Sequence, residues 1–237
     1  MKVTYPLYWA GQWLSDRLPS SLAWRIAEEI SDLQWRRSKS DCEMIERNLS
    51  LALGSRAGDT SLLVREVFRN FGRYLVEFFQ GHRVRDLQLR IEGQHYMEAA
   101  RERGRGAILL SAHLGNWELL GSVVVNHLGL PLSAVALPHG DARVDGLFNR
   151  QRDRCGVDVI PLGTQAAQRC LDVLRHGRLL GLLGDREVGD EGMPVPMFGR
   201  GSRVSRSSTP MMVPAMSNSP GWYTPGISAV SPPSSAQ

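Results

Sequence analysis

The chain has 237 residues, enough for one domain with an apolar core, and its 42% hydrophobic and 22% charged content is that of a globular protein. Its net charge of +4 is small and its basic residues are not clustered among aromatics, which argues against a nucleic-acid surface. Three cysteines without C-x-x-C spacing argue against a disulfide framework or a cysteine zinc site, and make a reducing compartment the default.

No apolar run approaches the roughly 18–20 residues of a spanning helix. Lys2 is followed by an interrupted aromatic segment rather than a signal-peptide core. The segment from Val3 to Leu18 carries Tyr5, Tyr8, Trp9 and Trp13. Such rings suit a membrane–water interface, so the segment either lies on a bilayer surface or packs its aromatic side onto the domain. Leu22, Ala23, Ile26, Ala27, Ile30 and Leu33 mark one face of a second helix, and a third runs from Ser40 to Leu53. Thr60 opens a fourth, closed by Gly81, whose wide apolar face includes Leu63, Val67, Phe68, Phe71 and Phe78. That face is core, or it lines a groove for an acyl chain.

From Leu87 the pattern changes to alternation, with Leu87, Leu89 and Ile91 reading as a strand and His95 to Arg103 as a helix. Ala107 to Leu110 is a short apolar run that reads as a buried strand. A helix opens at Trp117, after Gly115 and Asn116, which can stop a strand and cap a helix. Leu130 to Leu137 is the next strand, Arg143 to Cys155 a helix and Val157 to Pro161 a strand. A helix capped by Thr164 and a last apolar run, Arg178 to Gly184, lead to Asp185. Alternation of this kind predicts an α/β fold with a largely parallel central sheet flanked by helices. The expected divisions are an N-terminal helical, membrane-facing part over 1–85, an α/β core over 86–200 and an irregular tail over 201–237. The tail holds ten serines, six prolines and no acidic residue, a composition expected to be disordered.

Chemistry concentrates at the strand–turn–helix around His113. His113 and Glu118 are five positions apart, a spacing that turns side chains away from each other within one helix. With a strand end, a turn and a helix start between them, the carboxylate can fold back on the imidazole. A carboxylate on one ring nitrogen makes the other a usable general base. The alternative is a strand-end histidine bonded to a backbone carbonyl. G-x-S-x-G and H-E-x-x-H are absent, which argues against a serine hydrolase and a zinc hydrolase. The remaining histidines have no metal-ligand spacing.

The stretch A-H-L-G-N-W-E-L resembles the H-x4-[DE] motif of glycerolipid and lipid A acyltransferases. It is especially similar to the bacterial lipid A lauroyl/myristoyl acyltransferase branch, within the lysophospholipid acyltransferase-like superfamily. Two later blocks continue the resemblance. In Leu137-Pro138-His139-Gly140-Asp141 the arginine that commonly precedes the proline is replaced by Leu137, with Arg143 as a possible substitute, and Arg152 and Arg154 match the R-x-R-x-G pattern that follows. Gly184 to Arg200 is similar to the block with an acidic strand-end residue, which puts Asp185 and Arg186 on the same edge as His113. The resemblance covers roughly residues 5 to 200, and the family's final sheet and helix are missing or replaced.

The resemblance implies an O-acyltransferase, with the atypical C-terminus expected to impair it. It would move a fatty acyl group from acyl carrier protein or coenzyme A to a hydroxyl of a membrane lipid or glycolipid, such as a lipid A precursor. His113 would be the base and Glu118 its orienting acid, with Asn116, Arg143, Arg152, Arg154, Asp185 and Arg186 around the substrates. No cofactor, metal or nucleic acid is implied, and the expected place is the cytoplasmic face of the inner membrane, held peripherally. The competing reading is a truncated, non-catalytic lipid-binding protein at the membrane surface.

Overall fold

The computed structural model describes residues 5–54, 58–86, 89–185, 193–197, 200–204 and 227–229. They form two compact units: Met1–Gly81 with His139–Gln151 and Pro196–Gly201, and His82–Pro138 with Arg152–Val195 and Ser202–Gln237.

The first unit holds α1 (Tyr5–Arg17), α2 (Ser20–Arg37), α3 (Lys39–Leu53), α4 (Ser61–Phe79) and most of α7 (Ala142–Arg154). Its core is aromatic. Phe78 stacks on Phe148 with centroids 5.1 Å apart, and Tyr8 meets Phe148 edge-on. Phe79, Val144 and Leu147 complete the buried cluster, with Tyr5 packed against it. The N-terminal aromatics therefore divide: the two tyrosines pack inward, while Trp9 and Trp13 are 52% and 46% exposed. On α4, Val64, Phe68, Val76, Phe78 and Phe79 are buried, whereas Leu63, Val67 and Phe71 stay exposed.

Ion pairs run between α2 and α4. Asp32 accepts from both Arg65 and Arg69, and Glu28 pairs with Arg73. Gly72 lets the helices approach, since a Cβ there would lie 2.4 Å from the Ser31 hydroxyl. Hydrogen bonds from Arg69 and Arg65 hold the Asp32 carboxyl well below the ordinary carboxylate range, against a burial effect of opposite sign. Fully buried Gln151 donates through its side-chain amide to the carbonyls of Phe78 and Phe79. It thereby satisfies acceptors that the end of α4 cannot pair within the helix.

The second unit is built on a four-stranded parallel sheet in the order β2–β5–β3–β4. Its strands are β2 (Ala107–Ser111), β3 (Leu132–Ala136), β4 (Asp158–Pro161) and β5 (Leu179–Leu183). Helices α6 (Trp117–Asn126), α7 and α8 (Ala166–Arg175) connect successive strands, as parallel pairing requires. Adjacent residues of β5 serve opposite faces of the sheet. Leu179 packs with Val124, Leu130, Leu132, Cys155 and Val157, and Leu180 packs with Ile160, Ala166, Val173 and Leu182. Gly106, at φ +70°, brings the turn before β2 against α8, where a Cβ would fall 2.5 Å from the Leu174 carbonyl oxygen.

β2 departs from the expected burial. It lies at the end of the strand order, and Ile108 and Leu110 on one of its faces are 40% and 51% exposed. β1 (Leu89–Ile91) precedes α5 (Gln94–Glu102), and β6 (Met193–Met197) pairs with β7 (Arg200–Val204). The tail is not wholly irregular. β7 runs into it, and β8 (Ile227–Ala229) pairs antiparallel with β1, because a ladder needs backbone groups more than a hydrophobic pattern. The rest of the expected disorder lies outside the described residues.

Candidate active site

The site follows from the pairing of β2 with β5. Ser111 lies opposite Leu183, so two residues beyond each strand end stand His113 and Asp185. They are 72 residues apart in sequence and meet at the carboxyl edge of the sheet, where parallel α/β sheets bind ligands. Asp185 grips His113 twice. Its Oδ2 accepts from the His113 backbone N–H at 2.9 Å, and its Oδ1 lies 2.9 Å from Nδ1.

That bond assigns the tautomer: Nδ1 carries the proton and donates to Asp185, which leaves the Nε2 lone pair as an acceptor. The His113 side chain is 33% exposed. Burial pushes the Asp185 carboxyl up, but hydrogen bonds from the His113 ring and backbone outweigh it and hold it below its ordinary value. The charged carboxylate is thus the form present at neutral pH.

Behind the histidine the chain turns through Gly115, at φ +64°, a conformation that side-chain-bearing residues adopt at a cost. Asn116 caps α6 by accepting from the Leu119 N–H at 3.0 Å. The first helical residue, Trp117, sets its ring against the His113 imidazole, with centroids 4.7 Å apart and planes at 74°.

The Glu118 carboxylate, expected beside the imidazole, is bonded to Arg152 instead. The Arg152 guanidinium holds its carboxylate in a fork, with Nε donating at 3.0 Å to Oε2 and Nη2 donating to Oε1. The two side chains are 11% and 12% exposed. The reason is helical position. α6 begins at Trp117, so Glu118 belongs to its first turn and faces the end of α7, whereas the neighbouring strand delivers Asp185 to the ring. Glu118 and Arg152 join α6 to the start of β4's approach, a bond helped by Asn126, whose amide donates to the Cys155 carbonyl at 2.7 Å.

The other expected residues fall elsewhere. Arg143 belongs to the first unit, pairs with Asp141 at 3.0 Å and lies over the Tyr5 ring. Arg154 is exposed at the end of α7. Arg186 lies outside the described residues. A cavity of about 280 Å³, lined by Asp158, Arg169, Asp172, Val173, His176 and Arg178, opens at the amino ends of β4 and β5 and contains none of the expected site residues. Among the described residues, no group of three His, Cys, Asp or Glu side chains is placed to hold a metal ion. Sequence reading noted Asp185 as a strand-end acid but not as the partner of His113, since strand order decides that, and it missed the ring contact of Trp117.

The profile of the bacterial lipid A biosynthesis acyltransferases matches residues 2–217. The chain belongs to this family. The match runs further into the tail than the three motif blocks do. Among relatives, a phosphatidylinositol mannoside acyltransferase of Mycobacterium tuberculosis (strain H37Rv) is 28% identical over 206 residues, covering 83% of this chain and 65% of that protein. One of the same description from Mycolicibacterium smegmatis is 28% identical over 171 residues, 68% of this chain and 56% of that protein. The lipid A biosynthesis palmitoleoyltransferase of Escherichia coli K12 is 25% identical over 203 residues, 82% and 65% of the two chains. The chain therefore spans less than two thirds of the length of these curated relatives.

Proposed function

We propose that this protein transfers a fatty acyl group from a thioester, on acyl carrier protein or coenzyme A, to a hydroxyl of a membrane glycolipid. The observation that carries the reading is the His113–Asp185 pair at the carboxyl edge of the sheet, with Nε2 left to accept a proton. Membership in a family of lipid acyltransferases supplies the reaction class. The relatives named for phosphatidylinositol mannoside and lipid A point to a sugar-bearing lipid as acceptor.

In this mechanism the acceptor hydroxyl is the nucleophile. Its oxygen attacks the thioester carbonyl carbon while its proton passes to Nε2 of His113. The C–S bond breaks as the tetrahedral intermediate collapses, and the thiolate takes the proton back from the imidazolium. Asp185 holds the tautomer and stabilises the imidazolium, as the acid of a serine-protease triad does. Glu118 and Arg152 hold the end of the turn that carries the base. Among the described residues no helix is long and apolar enough to cross a membrane. The protein works peripherally at the cytoplasmic face of the inner membrane, with exposed Trp9 and Trp13 entering the interface.

The test is release of free thiol from acyl carrier protein or coenzyme A thioesters in the presence of glycolipid acceptors. His113→Ala should lower the rate by about 10²–10⁴-fold, the usual worth of a positioned general base. An Ala variant working at the parent rate contradicts the assignment of the base.

A further inference from the structure

We propose that Trp117 is a positioning residue for His113: its indole fixes the ring in the rotamer that presents Nε2 to an incoming hydroxyl. The inference rests on the reading of His113 as the base, and adds a restraint that Asp185 does not supply. Both bonds from Asp185 go to one side of His113, its backbone N–H and Nδ1. A ring held through one nitrogen can still pivot about that contact. A second restraint has to come from another element, and the start of α6 provides it.

Three features place the indole. Gly115 reverses the chain at φ +64°, so residues four apart meet outside any common helix. Asn116 ties the helix start to the Leu119 N–H. Next to Trp117, Glu118 is locked by Arg152. The indole then lies edge-on to the imidazole, 4.7 Å between centroids at 74°, an arrangement aromatic pairs prefer. The neighbouring Leu114 is 84% exposed and supplies no comparable wall. A base must hold its reacting atom within a fraction of an ångström, and small displacements cost rate even where binding is intact.

The experiment compares the full chain with Trp117→Phe, Trp117→Leu and Trp117→Ala. One arm records imidazole ¹⁵N spectra of histidine-labelled protein at neutral pH, with the His113 signals assigned through His113→Ala. The other arm measures kcat and KM for acyl transfer. In the parent, the two His113 nitrogens should give well-separated signals, one protonated and one not. In Trp117→Leu and Trp117→Ala the separation should persist, because Asp185 still holds Nδ1–H, but both signals should broaden as the ring samples more than one orientation, and kcat should fall by about 10–100-fold with KM unchanged. Trp117→Phe should recover most of the rate and the parent spectrum. Leu preserves apolar bulk, so it decides the matter if the Ala variant fails to fold.

A folded Leu variant with the parent spectrum and kcat overturns the proposal, and so does a changed spectrum with an unchanged kcat. Full activity in His113→Ala refutes the base reading instead. A parent without acyl transfer does the same, and the ¹⁵N comparison alone then decides whether the indole holds the ring.

Discussion

Where α2 meets α4 in the first unit, the contact carries ion pairs of Asp32 and Glu28 with three arginines, while Leu63, Val67 and Phe71 stay exposed. Across the sheet of the second unit the packing is mainly leucine, valine and isoleucine, and a forked, nearly buried ion pair, Glu118 with Arg152, stands beside the histidine's turn. The contrast separates two uses of charge. In the first unit, a buried Asp32 joins two helices through arginines that water still reaches. In the second, an ion pair with both members nearly out of water, at 11% and 12% exposure, ties the helix start that follows the His113 turn to the end of α7.

Removing the sheltered charge should show the largest stability effect. Glu118→Ala leaves Arg152 buried without its carboxylate and should cost about 3–5 kcal/mol, read from the urea midpoint. A loss below 1 kcal/mol would mean that Arg152 finds water and that the contrast is false. Asp32→Ala should cost less, about 1–3 kcal/mol, because Arg65 and Arg69 are 31% and 22% exposed and can rehydrate. Equal losses from the two substitutions would erase the distinction.

Gln151→Ala removes the amide that serves two carbonyls at the end of α4 and should cost about 1–2 kcal/mol. Phe78 and Phe79 amides should then exchange faster with deuterium, while the β2 and β5 amides keep their parent rates.

Acid offers a milder probe. The Asp32 carboxyl is lowered from its ordinary 3.8, so its stabilisation is present above that value and is lost as pH falls through the lower folded value. The intrinsic fluorescence of Trp35, over which Arg65 lies at 5.6 Å, should therefore change only below the ordinary carboxylate range. A transition near neutral pH would point to another group.

The sheet was legible because strands and helices carry different hydrophobic periods and their ends carry Gly, Asn and Asp. His113 was legible because it stands where such a strand ends. Its partner was not. Sequence proximity favoured Glu118, five positions away, but β5 returns to lie between β2 and β3, so Asp185 arrives from 72 positions away. The exposure of Ile108 and Leu110 was hidden for a related reason. An apolar run looks the same in the middle of a sheet and at the end of its strand order. The ion seam between α2 and α4 escaped as well, since periodicity follows apolar residues and Asp32 was not among them.

The central claim is that Asp185, and not Glu118, holds the His113 imidazole that we propose as the base. The direct measurement is kcat for acyl transfer per folded molecule in Asp185→Asn and Glu118→Gln, with the folded fraction taken from each variant's own unfolding curve. Asn at 185 cannot stabilise the imidazolium and permits the wrong tautomer, so kcat should drop by about 10²–10⁴-fold with little loss of stability. Gln at 118 should lower stability and reduce kcat per folded molecule by no more than about tenfold, through the looser turn, far less than Asp185→Asn. The reverse pattern, with Asp185→Asn near parental rate and Glu118→Gln inactive though folded, would contradict the account.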